Sequence, residues 1–493
     1  MPKKDKLFEL IKTMSMSEKR YFKLFAGRHT IGEQNNYVRL FDVLDQMNGF
    51  NAGELVTAAE KAGLPTKHLS SDKSYLYNLV LKSLSACNAG KSSSLQVKEF
   101  LHQAEILLER GLHDHALRVL KKALTIAQKA NLIWLVPEVY YQQYLALQGK
   151  ANLQAPSELL QKIEPGLQES SYLFQLQQLW QQAIGYLRNY GEVRTPEEKR
   201  ELELFLEHPL LHRPASPDNF HASLSSLQVK ATAMRVLGNT ELELALVREA
   251  RQLFENQEEF KKEYPLLYAQ SLGSLLYLEG TDNDNDFEAN LSAYRSLPDH
   301  MTKAHVRVKS QVYLLSYHAE MYRLIHQKRF EDALHLIPAM ESIFDTFRES
   351  TTDYMQTDYF LLFAFVYFAN KEYSKALQQI NSILNEMPLG DFLFLSHKVR
   401  ILDLMTHYEL GNYQLLRYKA DSTWRFFKKE QRDLPPEQTF IKLVRRLAQH
   451  PPMDETRKLF KQAREQWTEQ AKDPLTNRFF MDLPIWPWVN SHL

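Results

Sequence analysis

The chain carries several residue groups whose types and spacing could do chemistry. Asp282-Asn283-Asp284-Asn285-Asp286 places side-chain oxygens at alternating positions, the pattern with which a calcium loop begins. Such a loop needs a glycine where Phe287 stands and a bidentate glutamate where Ala293 stands, so the segment reads as a solvated loop that caps the following helix. His208 and His212 are four apart, but Pro209 and Pro214 prevent one helix from holding both on a face. His318 with His326, and His397 with His407, share helical stretches without carboxylates at ligand spacing, so they read as core-edge or surface histidines. Glu197-Glu198 follows Pro196 in the first turn of a helix, where acids complement the macrodipole. Cys87 is the only cysteine, which removes an internal disulfide and a cysteine metal site; within Leu84-Ser85-Ala86-Cys87 it reads as a small core residue. No HExxH, glycine-rich phosphate loop or Gly-x-Ser-x-Gly elbow occurs. These readings imply no enzyme, no metal and no cofactor.

The elements that must position such residues are helices. The 493 residues hold only 16 glycines, and Leu, Gln, Glu and Lys dominate, which favours helix throughout. The 24 tyrosines and 27 phenylalanines supply the bulky filler that long helices packed on two sides require. At this length a single compact core is exceeded, so several domains or a repeat array are expected. The net charge is zero but unevenly spread: +5 over residues 1–100, −10 over 101–396 and +6 over 397–472. No segment has the basicity of a dedicated nucleic-acid binder. The longest apolar run, Tyr359 to Ala369, has eleven members and fits a buried helix. With no run of eighteen and no signal-peptide core after Met1, no membrane association and a cytoplasmic location are expected.

The first 90 residues predict a small module of short helices. Ser15-Met16-Ser17-Glu18 offers a capping box; Tyr37, Leu40, Phe41, Leu44 and Met47 keep helical spacing; and Gly63 with Pro65 beyond stops a third helix. Asn88 to Ser94 is a linker candidate. Further on, one phrase recurs: a helix, a tight turn, then an alanine opening the next helix. It stands at Gly111-Leu112-His113-Asp114-His115-Ala116, at Lys328 to Ala333 and at Lys371 to Ala376, with an echo at Gly411 to Leu416. Ala333 to Ala376 is 43 residues and Ala376 to Leu416 is 40, a regular period of the kind a helical solenoid shows.

Phe100, Ala104, Leu107, Gly111, Ala116, Leu120 and Ala123 together resemble the tetratricopeptide repeat (TPR) family. Phe360, Ala364, Tyr367, Tyr373, Ala376, Ile380, Ile383 and Pro388 fit as well, and Tyr317, Met321, Leu324, Phe330, Ala333, Ile337 and Met340 form a third copy. Gly238 to Ala250 keeps only fragments, and the intervals exceed the 34-residue norm. The resemblance implies an all-α fold: a right-handed TPR-like α-solenoid of antiparallel helix pairs over residues 95–470, behind an N-terminal helical module over 1–90. It also implies a non-enzymatic adaptor or scaffold that binds a protein or peptide on a concave face formed by the first helix of each pair. There the expected exposed contacts are Tyr322, Arg323, Tyr359 and Arg400.

An alternative comes from the N-terminal module. Ala59-Glu60-Lys61-Ala62-Gly63-Leu64 followed by Leu69 resembles a helix-turn-helix core, although Pro65 stands in the turn and Asp72 at an apolar position. Lys67, His68, Lys73 and Tyr75 would then face DNA in a ligand-sensing regulator. The tail, residues 471–493, is read as too proline-rich to be helical and too aromatic to be free, hence as an extended segment capping the array.

Overall fold

The computed structural model describes residues 5–27, 35–90, 92–148, 154–214, 219–280, 287–300, 306–348, 351–480 and 483–493. Among them 83% are helical, in 26 α-helices, and no strand occurs. The acidic segment Asp282–Asp286 lies outside the described residues.

The chain forms two compact units, Met1–Leu167 and Gln168–Leu493. The first unit holds two separate cores. Helices Lys6–Thr13, Met16–Gly27, Asn36–Gln46, Ala52–Lys61 and Leu69–Asn88 enclose Leu7, Ile11, Phe22, Phe41, Leu44, Leu76 and Val80. Their starts follow local chemistry. The Asp5, Asn35 and Asn51 side chains accept the first free N–H groups of their helices, and Ser15 with Glu18 closes the capping box in both directions, at 3.3 and 2.9 Å. The second core lies among Ser93–Glu109, His113–Lys129 and Val136–Leu147, around Ala104, Ala116, Leu120 and Ala123.

The recurring turn phrase has one backbone geometry. Gly111, Lys328, Lys371 and Gly411 all adopt the left-handed conformation, with φ of 72°, 58°, 62° and 71°. In each, the turn residue's N–H donates three residues back and the next N–H donates five back. Examples are Gly111 N to Leu108 O at 2.9 Å with Leu112 N to Leu107 O at 2.9 Å, and Lys371 N to Phe368 O at 3.0 Å with Glu372 N to Tyr367 O at 2.9 Å. This is the Schellman closure, which satisfies carbonyls that the helix end would leave open. The residue five after the turn, Ala116, Ala333, Ala376 or Leu416, is fully buried. Gly238 makes the same turn (φ 68°), with Glu243 at that fifth position. Glu243 is buried and takes Arg235 Nε at 2.7 Å, so an ion pair replaces the alanine contact and hides the repeat from sequence.

Neighbouring helices in sequence are packed neighbours along the second unit, from Phe220–Leu237 against Thr240–Glu255 to Pro435–Leu447 against Met453–Gln470. The ends of this unit also meet. Val193 N donates to Val236 O at 2.8 Å, Arg478 Nη1 donates to Val193 O at 2.6 Å, and Arg194 pairs with Glu437, 243 residues away. Gly191 sits buried at the same place with φ 67°, and a Cβ there would strike the Phe394 ring.

The tail departs from the extended segment expected of it. Pro474–Asn477 and Ile485–Asn490 are short helices, and a 3₁₀ turn at Arg478–Phe480 follows the first. Pro487 is tolerated because it falls in the first turn, where no N–H needs an intrahelical acceptor; Trp488 N still reaches Pro484 O at 3.0 Å. Phe479, Phe480, Leu483, Ile485, Trp488 and Val489 join the large core of the second unit.

Candidate functional site

Five helices of the second unit bring polar and aromatic side chains onto one surface. They are the C-terminal end of Gln154–Tyr190, then Phe220–Leu237, Pro265–Glu279, Val306–His326 and Asp353–Ala369. Arg235 lies over Tyr277 at 5.5 Å, and Tyr277 packs on Tyr322 at 4.7 Å and on His318 at 5.8 Å. His318 Nε2 is 2.8 Å from Asp358 Oδ2, and the Tyr322 ring is 4.7 Å from His326. Tyr354 continues the surface to Phe392 at 5.4 Å, which Arg188 covers at 5.6 Å. Burial pushes the Tyr354 hydroxyl up, with the charge of Asp358 adding to it and those of Arg235 and Arg188 opposing it. Tyr277, His318, Tyr322, Tyr354 and Asp358 are all half-buried. Rigid rings flanked by two arginines and a histidine–carboxylate pair can bury an apolar side chain and hydrogen-bond a backbone.

The side chains expected to contact a partner divide here. Tyr322 lies in this surface. Arg323, one position on, faces away from it, its guanidinium 4.3 Å over Phe287. Tyr359 is not exposed: it is 2% accessible, and its hydroxyl donates to the carbonyl of Leu314. Thr357, Leu361, Phe363 and Ala364 around it are buried as well, so that side of its helix faces the core rather than solvent. Arg400 is half-buried with its guanidinium 4.3 Å over Phe426, and burial lowers its pKa.

The four proposed DNA contacts also separate. Gly63 makes the expected turn (φ 66°) behind the buried Ala59. Lys67 and His68 are exposed, and Tyr75 is about half exposed, its ring tilted against that of Tyr37 at 4.4 Å. Lys73 instead turns inward, paired with Asp5 and lying 4.8 Å over Phe50, so its charge is spent within the module. Cys87 is half-buried.

Three histidines expected to lack carboxylates have them as partners in the fold. His318 takes Asp358, His397 takes Glu437 at 3.0 Å, and His407 takes Asp403 at 3.3 Å. Asp403 and His407 are four apart on one helix, a local signal that was there to be read; the other two pairs need the fold. His208 Nδ1 accepts Leu210 N–H at 3.3 Å, and a His212 ring nitrogen lies 3.0 Å from Leu206 O, so both serve local backbone groups. Among the described residues no three metal-ligating side chains come together, and no helix is long and apolar enough to cross a membrane. Compared with known proteins, the chain matches no family model, no curated protein and no solved structure.

Proposed function

We propose that this chain is a protein- or peptide-binding scaffold, built as a TPR-like solenoid of antiparallel helix pairs, whose partner lies along the Arg235–Tyr277–Tyr322–His318–Tyr354 surface. The observation that carries the reading is where those residues come from. Tyr277, His318 with Tyr322, and Tyr354 sit on three alternate helices of the array, Pro265–Glu279, Val306–His326 and Asp353–Ala369, and the helices between them contribute nothing to the stripe. A repeat array that binds along one face places its contacts in this way. Half-buried tyrosines suit such a site because they add contact area while losing little side-chain entropy on binding. Arg235 and the His318–Asp358 pair would set register by hydrogen bonding to the partner's backbone or charged groups.

Affinity purification of the full-length protein from its native host, followed by mass spectrometry, tests this. Replacement of Tyr277 and Tyr322 by Ala is expected to remove the captured partner while leaving the helical circular dichroism intact. Undiminished capture by that variant refutes the surface. The DNA-contacting alternative has lost Lys73, and a gel shift at physiological salt that is unaffected by Lys67→Glu disposes of it.

A further inference from the structure

A second site lies where the ends of the second unit meet. The segments 189–201, 393–398 and 426–432, with Arg478, Phe479 and Leu483, enclose a cavity of 480 Å³, well within the range of small-molecule sites. Its walls include Leu393, Phe394, Phe426, Phe479 and Leu483. Its deep end is ionic. Glu437, wholly inaccessible, holds Arg194 in a bidentate pair, with the second contact at 3.1 Å, and also faces His397 at 3.0 Å. Arg432 pairs with Glu198 at 3.0 Å, and Arg478 with Glu192 at 3.2 Å. Three guanidinium groups thus meet three carboxylates, a balanced set. Hydrogen-bonding capacity is not balanced, however. Arg194 Nε and Arg432 Nη2 are buried N–H groups with no acceptor among the described residues, and a guanidinium cannot shed those protons. Arg194 and Arg432 are about nine-tenths buried, and both line the cavity. The outer lining has the opposite character: Glu197 and Glu201 are exposed carboxylates, and Glu201 accepts the Tyr190 hydroxyl at 2.9 Å.

We propose that this cavity binds a small zwitterion, an amino acid or short peptide with an apolar side chain. Its carboxylate would face Arg432 and Arg194, and its ammonium the Glu197–Glu201 mouth. A carboxylate supplies the acceptor oxygens that the buried donors lack. A bare anion would upset the three-to-three charge balance of the interior, whereas a zwitterion enters with no net charge and meets the acidic mouth with its cationic end. The aromatic and leucine walls take the apolar side chain. Because the four segments are far apart in sequence, a ligand here also ties the ends of the unit together and raises its melting temperature by mass action.

Isothermal titration and thermal shift of the full-length protein with L-phenylalanine, N-acetyl-L-phenylalanine and L-phenylalanine amide, each at millimolar concentration, test the assignment. Phenylalanine is expected to bind saturably and raise the melting temperature. The acetylated probe, lacking the ammonium, and the amide, lacking the carboxylate, should each bind about tenfold more weakly or worse. Arg432→Gln should abolish the response. Leu393→Trp, which fills the cavity and leaves the ion pairs alone, should abolish it too, and it keeps the test decisive where Arg432→Gln unfolds. Absence of binding by phenylalanine, equal binding of all three probes, or binding unchanged in the folded Leu393→Trp protein each overturns the proposal.

Discussion

Removing the Glu437 carboxylate is the sharpest perturbation of the second unit. Glu437 is fully buried and Arg194 is 9% exposed, so Glu437→Ala leaves a largely buried guanidinium without either of the hydrogen bonds it gives to Glu437. His397 loses its partner at the same stroke. Breaking one side of a buried pair costs about 3–5 kcal/mol, a large share of the roughly 5–15 kcal/mol that holds a domain together. Replacing both partners, Arg194→Met with Glu437→Leu, removes the charges together and is expected to recover most of that loss, because two apolar groups of similar volume need no desolvation compensation. Urea denaturation of the wild type, Arg194→Met, Glu437→Leu and the double variant, followed by circular dichroism, gives four free energies, and their cycle gives the coupling. Hydrogen exchange at the Val193 amide, which donates to Val236 O beside the pair, reports whether the junction opens first. The pH dependence carries a sign. Burial alone would raise the Glu437 carboxyl, but Arg194 and His397 outweigh it and hold it below the usual carboxylate range. Its stabilising contribution is therefore present above the unfolded carboxyl value and lost as pH falls through the folded one. Destabilisation under 1 kcal/mol by Glu437→Ala, with Val193 protection unchanged, would refute the view that this pair holds the junction.

Other expectations follow from single contacts. Lys328→Gly and Lys371→Gly relieve left-handed strain of about 1–2 kcal/mol against about 0.5–1 kcal/mol of extra chain entropy, so each should stabilise slightly in urea titrations, while Gly111→Ala should destabilise. Tyr359→Phe leaves the buried Leu314 carbonyl without that donor and should cost about 1–3 kcal/mol by the same assay, with no effect on partner capture. Burial lowers the His221 ring to about 4, so the folded state resists its protonation; stability should fall as pH drops from the unfolded histidine range near 6.5 toward 4, and His221→Phe should flatten that slope in melting temperature against pH. At the tail, His492 is drawn two ways: burial disfavours its charge, but Glu409 at 3.1 Å prevails and raises its pKa. That stabilisation is present at low pH and lost as pH rises through the folded value, and Glu409→Gln should remove the dependence in the same titration.

How much could be read in advance depended on range in sequence. The helices of the first module were legible because Ser15, Glu18 and Gly63 act on backbone groups within five residues of themselves. The turn phrase was legible for the same reason, and the structure adds that its lysine forms bend as its glycine forms do, since the Schellman bonds impose the left-handed residue whatever its side chain. Tyr359 was misplaced because an eleven-residue apolar run has no polar side to mark which face is wet; only packing on all sides decided that its hydroxyl would turn to Leu314. The tail's helices are hidden from composition because the cost of a proline depends on its position, and Pro487 in a first turn costs the helix no hydrogen bond.

By itself, then, the sequence determined what local chemistry can: that the chain is helical, where many helices begin and stop, and that one turn recurs between them. Only the tertiary structure decided which side chains meet. Tyr277, Tyr322 and Tyr354 line up across three helices, and Arg194 finds Glu437 from 243 residues away. Helix caps and turns act over a few residues, so they leave a pattern in the sequence. A charge pair or an aromatic stripe that closes over hundreds of residues leaves none, because its spacing is set by the path of every helix between.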